Sequence, residues 1–325
     1  MLLILITLIS VYFTPSQLLE ESTFKVNSNY NRPVIGILTL PDDDTGNRTS
    51  PSNFPASYVK FIESAGARVL PVFIGRDEDY YKSIMNITNG MLFTGGSTNL
   101  RDSIYTSTAS IIWSYALQLN QAGDYYPLWG TCQGFELFLY LVSDQQWPLV
   151  SCSAINLAGK VTFLLDDKQL KETKLFKNAP NSIIKALAND PVTFNWHDWC
   201  LPVGYMYLPK LQAFFTAMSK SVDYKGLEFI SMIEAKDFPF YGVQFHPEKP
   251  PYEPVINPRY TNTPQTLEAI LVSQYFSNFF ISETRKSHHI YPETEYYRSQ
   301  LIYNYCPQYT GINASASNVE TYYFY

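Results

Sequence analysis

Four cysteines in 325 residues are too few for a disulfide scaffold, and no CxxC pair occurs among them. A domain held together mainly by bridges is therefore excluded, and structural zinc has no ligand pattern to use. Positive charge is also scarce: 23 Lys and Arg stand against 29 Asp and Glu, for a formal charge of -6 and a pI near 5.3. No Lys/Arg cluster interleaves with aromatics, so a nucleic-acid surface is not expected. The apolar run at residues 1–13 is too short to span a membrane. What abounds is apolar and aromatic: 46% of residues are hydrophobic, with 21 Phe and 26 Tyr. That suffices for one large core or two modest domains, and it is too apolar for a disordered chain.

Residues 1–20 read as a signal peptide, cleaved between Thr14 and Glu21. A buried first strand is the alternative, since the run lacks a positive start, but polar residues 21–32 separate it from the next strand. Three sequons agree with export: Asn47-Arg-Thr49, Asn86-Ile-Thr88 and Asn313-Ala-Ser315. Asn86 abuts the apolar run from Gly90 to Phe93, close to an expected sheet.

The rest, 25–325, reads as a single domain. Strands are expected at 33–40, 68–73, 90–96 and before Cys132, with helices at 56–65, 77–86, 103–120 and 135–142 between and after them. Such alternation implies right-handed crossovers and a mostly parallel sheet covered on both faces, an α/β three-layer sandwich. Residues 143–195 are less regular, with an edge strand at 160–165 and a short helix at 181–187. Paired strands at 228–233 and 241–245 and a helix at 263–285 follow. The tyrosine-rich tail, 290–325, is expected to wrap the domain rather than build another.

Three segments carry chemistry. In Gly130-Thr-Cys132-Gln-Gly134 a cysteine sits between glycines on an expected strand-to-helix turn. Helix N-terminal N–H groups beside the sulfur lower a thiol pKa, and such a turn presents a nucleophile. A buried structural thiol is the plain alternative. Gln244-Phe-His246-Pro-Glu248 ends another strand, so His246 can exchange the Cys132 proton while Glu248 orients the ring. Gly95-Gly96 follows a third strand and, with the N–H of Gln133, can stabilise an oxyanion. In open parallel sheets, sites gather beyond the carboxyl ends of strands. His197, among the aromatics of residues 194–200, either touches substrate or packs beneath a loop. His288 and His289 read as solvent-facing. No third ligand converges for a metal. With Cys132 free, Cys152, Cys200 and Cys306 allow one intrachain bridge at most.

The pattern resembles the gamma-glutamyl hydrolases, of the class I glutamine amidotransferase-like fold. The likeness runs from Pro33 onward: Ala56 to Arg68, Phe93-Thr-Gly-Gly96, Trp129 to Glu136, Asn195-Trp-His-Asp-Trp199, Tyr241 to Lys249, and the tail from Leu301 to Gly311. The resemblance implies Cys132 as nucleophile, His246 as general acid/base, Glu248 as triad carboxylate and His197 near the substrate. It implies hydrolysis of folate poly-gamma-glutamates, in lysosomes or after secretion, commonly by a homodimer, with no cofactor and no stable membrane association. Two departures concern the pocket: Thr94 stands where the family usually has proline, and Gln133 where leucine is expected. Arg101 and Lys249 are the cations nearest the motifs for binding substrate carboxylates. An ammonia-supplying glutaminase and a non-catalytic secreted glycoprotein are the competing readings.

Overall fold

The strand that begins at Val34 is a run of β-branched and aliphatic residues, and its side chains split between two cores. Val34 and Leu38 pack with one hydrophobic cluster, Ile35 and Ile37 with the other. The same period of two recurs at Leu128 and Trp129 and at Phe240 and Tyr241. Alternation with no polar face is what a strand buried on both sides requires.

The computed structural model describes residues 32–42, 52–254, 261–311 and 316–325. The expected signal peptide and the sequons at Asn47 and Asn313 lie outside these residues. Arg32–Tyr325 form one compact unit.

An eight-stranded sheet runs in the order Arg68–Val72, Val34–Leu38, Gly90–Phe93, Leu128–Thr131, Phe240–Val243, Glu228–Ala235, Phe215–Val222, Thr162–Phe163. The first five strands are parallel and the last three antiparallel. Helices Glu78–Met85, Ile104–Gln121 and Gln133–Val142 cover one face. Ala56–Ser64, Asn181–Asn189 and Leu267–Thr284 cover the other. The three-layer α/β sandwich with a mostly parallel sheet is thus the observed architecture.

Local chemistry sets the helix starts. Ser103 accepts a hydrogen bond from the Thr106 N–H (3.2 Å), Asp77 from Tyr80 (2.8 Å) and Thr266 from Ala269 (3.2 Å). Each satisfies an N–H the helix itself cannot bond. Packing does the rest. Trp129, fully buried, meets Phe276 and Phe280 of the last long helix at centroid distances of 6.0 and 5.6 Å, and burying such a ring stabilises by about 2 kcal/mol.

Phe215–Val222 was not expected as a strand. Its pairing with Glu228–Ala235 shifts register between Ala217 and Lys220, so the bulge breaks the two-residue pattern that would have revealed it. The tail does wrap the domain: Glu320–Phe324 pairs antiparallel with Ser52–Pro55, and Phe324 packs on Phe54 and Phe73. No helix among the described residues is long and apolar enough to cross a membrane.

Candidate active site

Strand register brings three loop starts together. Thr131 lies beside Val243, and Gly130 lies beside both Gly242 and Phe93. Cys132, His246 and Gly95-Gly96 therefore leave neighbouring strands at one carboxyl end, and the Cys132 N–H donates to Val243 O (2.8 Å).

Cys132 has φ 51° and ψ -105°, between strand Leu128–Thr131 and helix Gln133–Val142. A non-glycine residue at positive φ is held there only by its surroundings. The flanking glycines supply them by permitting close contact. A β-carbon on Gly134 would lie 2.3 Å from Phe93 O, and one on Gly130 would lie 2.6 Å from Gly134 O. The helix therefore starts hard against two strands, and the turn at Cys132 is forced to be sharp.

His246 is buried, and its Nδ1–H donates to Glu248 Oε1 at 2.7 Å. That contact leaves the lone pair on Nε2. Tyr58, which sequence reading did not single out, is the third member. Its Oη accepts the Gly95 N–H (2.7 Å) and lies 3.4 Å from His246 Nδ1. Tyr58 sits in an apolar helix stripe, where nothing distinguishes it from a core residue. A β-carbon on Gly95 would meet His246 Cε1 at 2.6 Å and Cys132 Cβ at 3.2 Å. Thiol and imidazole thus converge on a spot that only glycine leaves open.

The oxyanion expectation is narrowed by one group. Because the Gly95 N–H already donates to Tyr58, it is not available to a substrate. The N–H groups of Gly96 and Gln133 remain, and the Gln133 N–H favours the charged form of the Cys132 sulfur. The Gln133 side chain holds this loop: its Nε2 donates to Thr98 O (2.5 Å) and its Oε1 accepts from Thr98 N–H (3.2 Å). A leucine at that position could make neither bond.

Burial corrects the expectation of a lowered thiol pKa. It pushes the Cys132 thiol well above its ordinary value, and the carboxylates of Glu136 and Glu248 add to the rise. The Gln133 N–H and Lys249 pull the other way but do not prevail. Glu136 itself is pushed up to about 8 by burial, against a hydrogen bond from Gln244 Nε2 (2.9 Å) that favours its charge. Below that pH Glu136 carries no charge, and burial followed by the Glu248 carboxylate holds the thiol pKa up. Cys132 rests protonated, donating to Trp196 O at 3.9 Å, and needs a base to become a nucleophile.

His197 stands apart from this group. It lines a cavity that reaches Cys132, but its ring nitrogens meet Trp199 O (3.0 Å) and Asn195 Oδ1 (3.2 Å), and its ring packs perpendicular to Phe229. Burial lowers its pKa to about 3, so the ring is neutral across ordinary pH. Beside it, Cys152 and Cys200 form a disulfide between adjoining strands. These three residues cluster within 4.8 Å as a metal site would, yet sulfurs bonded to each other cannot serve as thiolate ligands. Cys306 is free and exposed.

Elsewhere, Asn86 is exposed at a helix end while its sequon partner Thr88 is buried and bonded to Tyr126. His288 is exposed, but the expectation that His289 faces solvent is not met. His289 Nε2 lies 2.8 Å from Asp124 Oδ2, and its Nδ1 reaches Met85 O (2.7 Å), anchoring the chain after the last long helix.

A buried cysteine at a strained turn beside a carboxylate-held histidine, at the ends of neighbouring parallel strands, defines a cysteine hydrolase acting on acyl bonds. The peptidase C26 family pattern matches residues 33–248. The chain is 41% identical to gamma-glutamyl hydrolase B of Dictyostelium discoideum, over 88% of this chain and 81% of that one. It is 40% identical to the gamma-glutamyl hydrolase of Rattus norvegicus and 37% to that of Homo sapiens, each over 86% of both chains. A solved glutamine amidotransferase from Methylobacillus flagellatus superposes with a TM-score of 0.45 at 10% identity, over 81% of this chain and 98% of that one. The chain belongs to the peptidase C26 family, among the gamma-glutamyl hydrolases.

Proposed function

We propose that the chain hydrolyses gamma-glutamyl bonds in folate poly-gamma-glutamates through a Cys132 thioester. The observation that carries this reading is the convergence of Cys132 and His246 on Gly95, with Glu248 behind the imidazole. His246 Nε2 takes the thiol proton as Cys132 attacks the gamma-carbonyl carbon. The carbonyl oxygen becomes an oxyanion and receives the N–H groups of Gly96 and Gln133. The imidazolium, stabilised by Glu248, then protonates the departing glutamate amine, and the C–N bond breaks. Water, deprotonated by the same histidine, attacks the thioester and frees the glutamyl product and the thiol. Tyr58 keeps the Gly95 loop and the His246 ring in mutual position.

The leader at residues 1–20 and the sequons at Asn47, Asn86 and Asn313 support a glycosylated enzyme of the lysosome or the extracellular space. The Cys152–Cys200 bridge supports the same setting, because disulfides persist in oxidising compartments. A homodimer is part of this reading, and size-exclusion chromatography with light scattering tests it.

Product analysis on pteroylpentaglutamate with the purified protein tests the reading. Release of glutamate or short gamma-linked chains is expected. Ammonia released from free glutamine with the pentaglutamate left intact would instead make the chain a glutaminase.

A further inference from the structure

Two cavities meet at Cys132, and they differ in what lines them. One, of about 300 Å³, holds His246, Glu248, Tyr58 and Lys249. The other, of about 600 Å³, holds Glu136, His197, Asp198, Arg101, Trp147 and Trp199, with Trp196 common to both. Both share Gly96 and Cys132, so the oxyanion position lies at their junction. The proton donor lies on one side only. A leaving amine must reach His246, which places the departing glutamate in the smaller cavity. The acyl portion must then extend the opposite way, into the larger one.

Of the two cations near the motifs, the structure separates their roles. Lys249 is buried, and its ammonium donates to Ser317 O and Asn318 Oδ1, each at 3.0 Å; it fastens the tail. Arg101 lies exposed at the larger cavity, its guanidinium 4.5 Å from the Trp147 ring and 6.0 Å from the Trp199 ring. Among the described residues no carboxylate forms an ion pair with it. A cation–π contact with the Trp147 ring, itself edge-on to Trp199, holds the guanidinium without using its N–H fork. Trp199 is itself fixed by pairing with Ser151, next to the Cys152–Cys200 bridge. The result is a guanidinium held over an indole whose N–H fork faces no paired carboxylate among the described residues.

On the reading that the substrate is a poly-gamma-glutamate, we propose that Arg101 binds a carboxylate of the acyl portion in the larger cavity, and that the leaving glutamate occupies the smaller one. Arg101 then sets the direction in which the gamma-linked chain lies across Cys132. Of the two carboxylates lining that cavity, Glu136 accepts from Gln244 Nε2 (2.9 Å) and Asp198 is exposed.

The test compares three gamma-linked substrates: the parent, one with its acyl-side α-carboxylates replaced by carboxamides, and one with the leaving-side carboxylates so replaced. For the native protein, acyl-side replacement is expected to raise KM about tenfold or more, the scale of one charge-assisted hydrogen bond. Arg101→Gln should show the same loss on the parent and almost no further loss on the acyl-side amide. Its response to leaving-side replacement should match the native protein's. Arg101→Lys keeps the charge but not the planar fork, and should recover only part of the loss. Equal losses for Arg101→Gln on parent and acyl-side amide would overturn the assignment. So would coupling of Arg101 to the leaving side. If the folded native protein cleaves none of the three, the functional reading fails, and the failure is seen before any Arg101 variant is measured.

Discussion

Two groups in this molecule each bring histidine and cysteine together, and only one is built to react. At the strand ends, Cys132 is free, and His246 is held by Glu248 with one nitrogen left over. At the cavity wall, the sulfurs of Cys152 and Cys200 are joined, and both nitrogens of His197 face protein oxygens. The residue types are nearly the same. What differs is the partner of each: a carboxylate accepts from one imidazole, while burial suppresses protonation of the other. Reactivity therefore belongs to the arrangement, and the second group acts as a brace for the pocket that the first one uses.

The sharpest way to break this comparison is to exchange what is removed. Cys132→Ala should lower kcat by at least about a thousandfold, since members of a nucleophile–base unit fail together, with the fold retained by circular dichroism. Cys152→Ser with Cys200→Ser should do the reverse. Opening a bridge across 48 residues of sequence costs roughly 4 kcal/mol of stability in the chain-entropy estimate, read as a lower Tm, while kcat stays within a few-fold. A double-serine variant as inactive as Cys132→Ala would erase the distinction.

A smaller effect separates the two histidine environments by pH. His197, ordinarily near 6.5, is lowered to about 3 in the folded state. The unfolded chain thus binds the extra proton between those values, and stability falls as pH drops from 6.5 toward 3. Replacing His197 with Gln should flatten that acid limb in urea titrations. Glu136 works with the opposite sign. Its folded value of about 8 against an ordinary 4.5 means the native state holds the extra proton, so stability falls as pH rises through that window. Glu136→Gln should flatten the slope there, and an unchanged slope would show that this carboxyl is not held neutral.

Much of this was legible in the chain. The buried strands announced themselves through unbroken apolar runs, and the Gly-x-Cys-x-Gly turn through the close contacts its glycines permit. The His246-Pro-Glu248 strand end could be placed beside it because parallel sheets collect such ends. Tyr58 was hidden because its hydroxyl acts from within a core helix. The bridge partners were not readable either, since loops 48 residues apart are joined by strand pairing that short segments do not signal. The thiol's environment was misjudged for a related reason. A sequence shows the helix N-terminus that lowers a pKa, but not the burial that raises it.

The proposed chemistry requires Cys132, rather than any other sulfur, to carry the acyl group. Acid-quenching the enzyme during turnover of a gamma-glutamyl substrate, followed by peptide mass spectrometry, tests this most directly. The expected result is the acyl mass on the peptide containing Cys132, absent in Cys132→Ala. Acyl mass on the Cys306 peptide, or product formed at the native rate by Cys132→Ala, would contradict it.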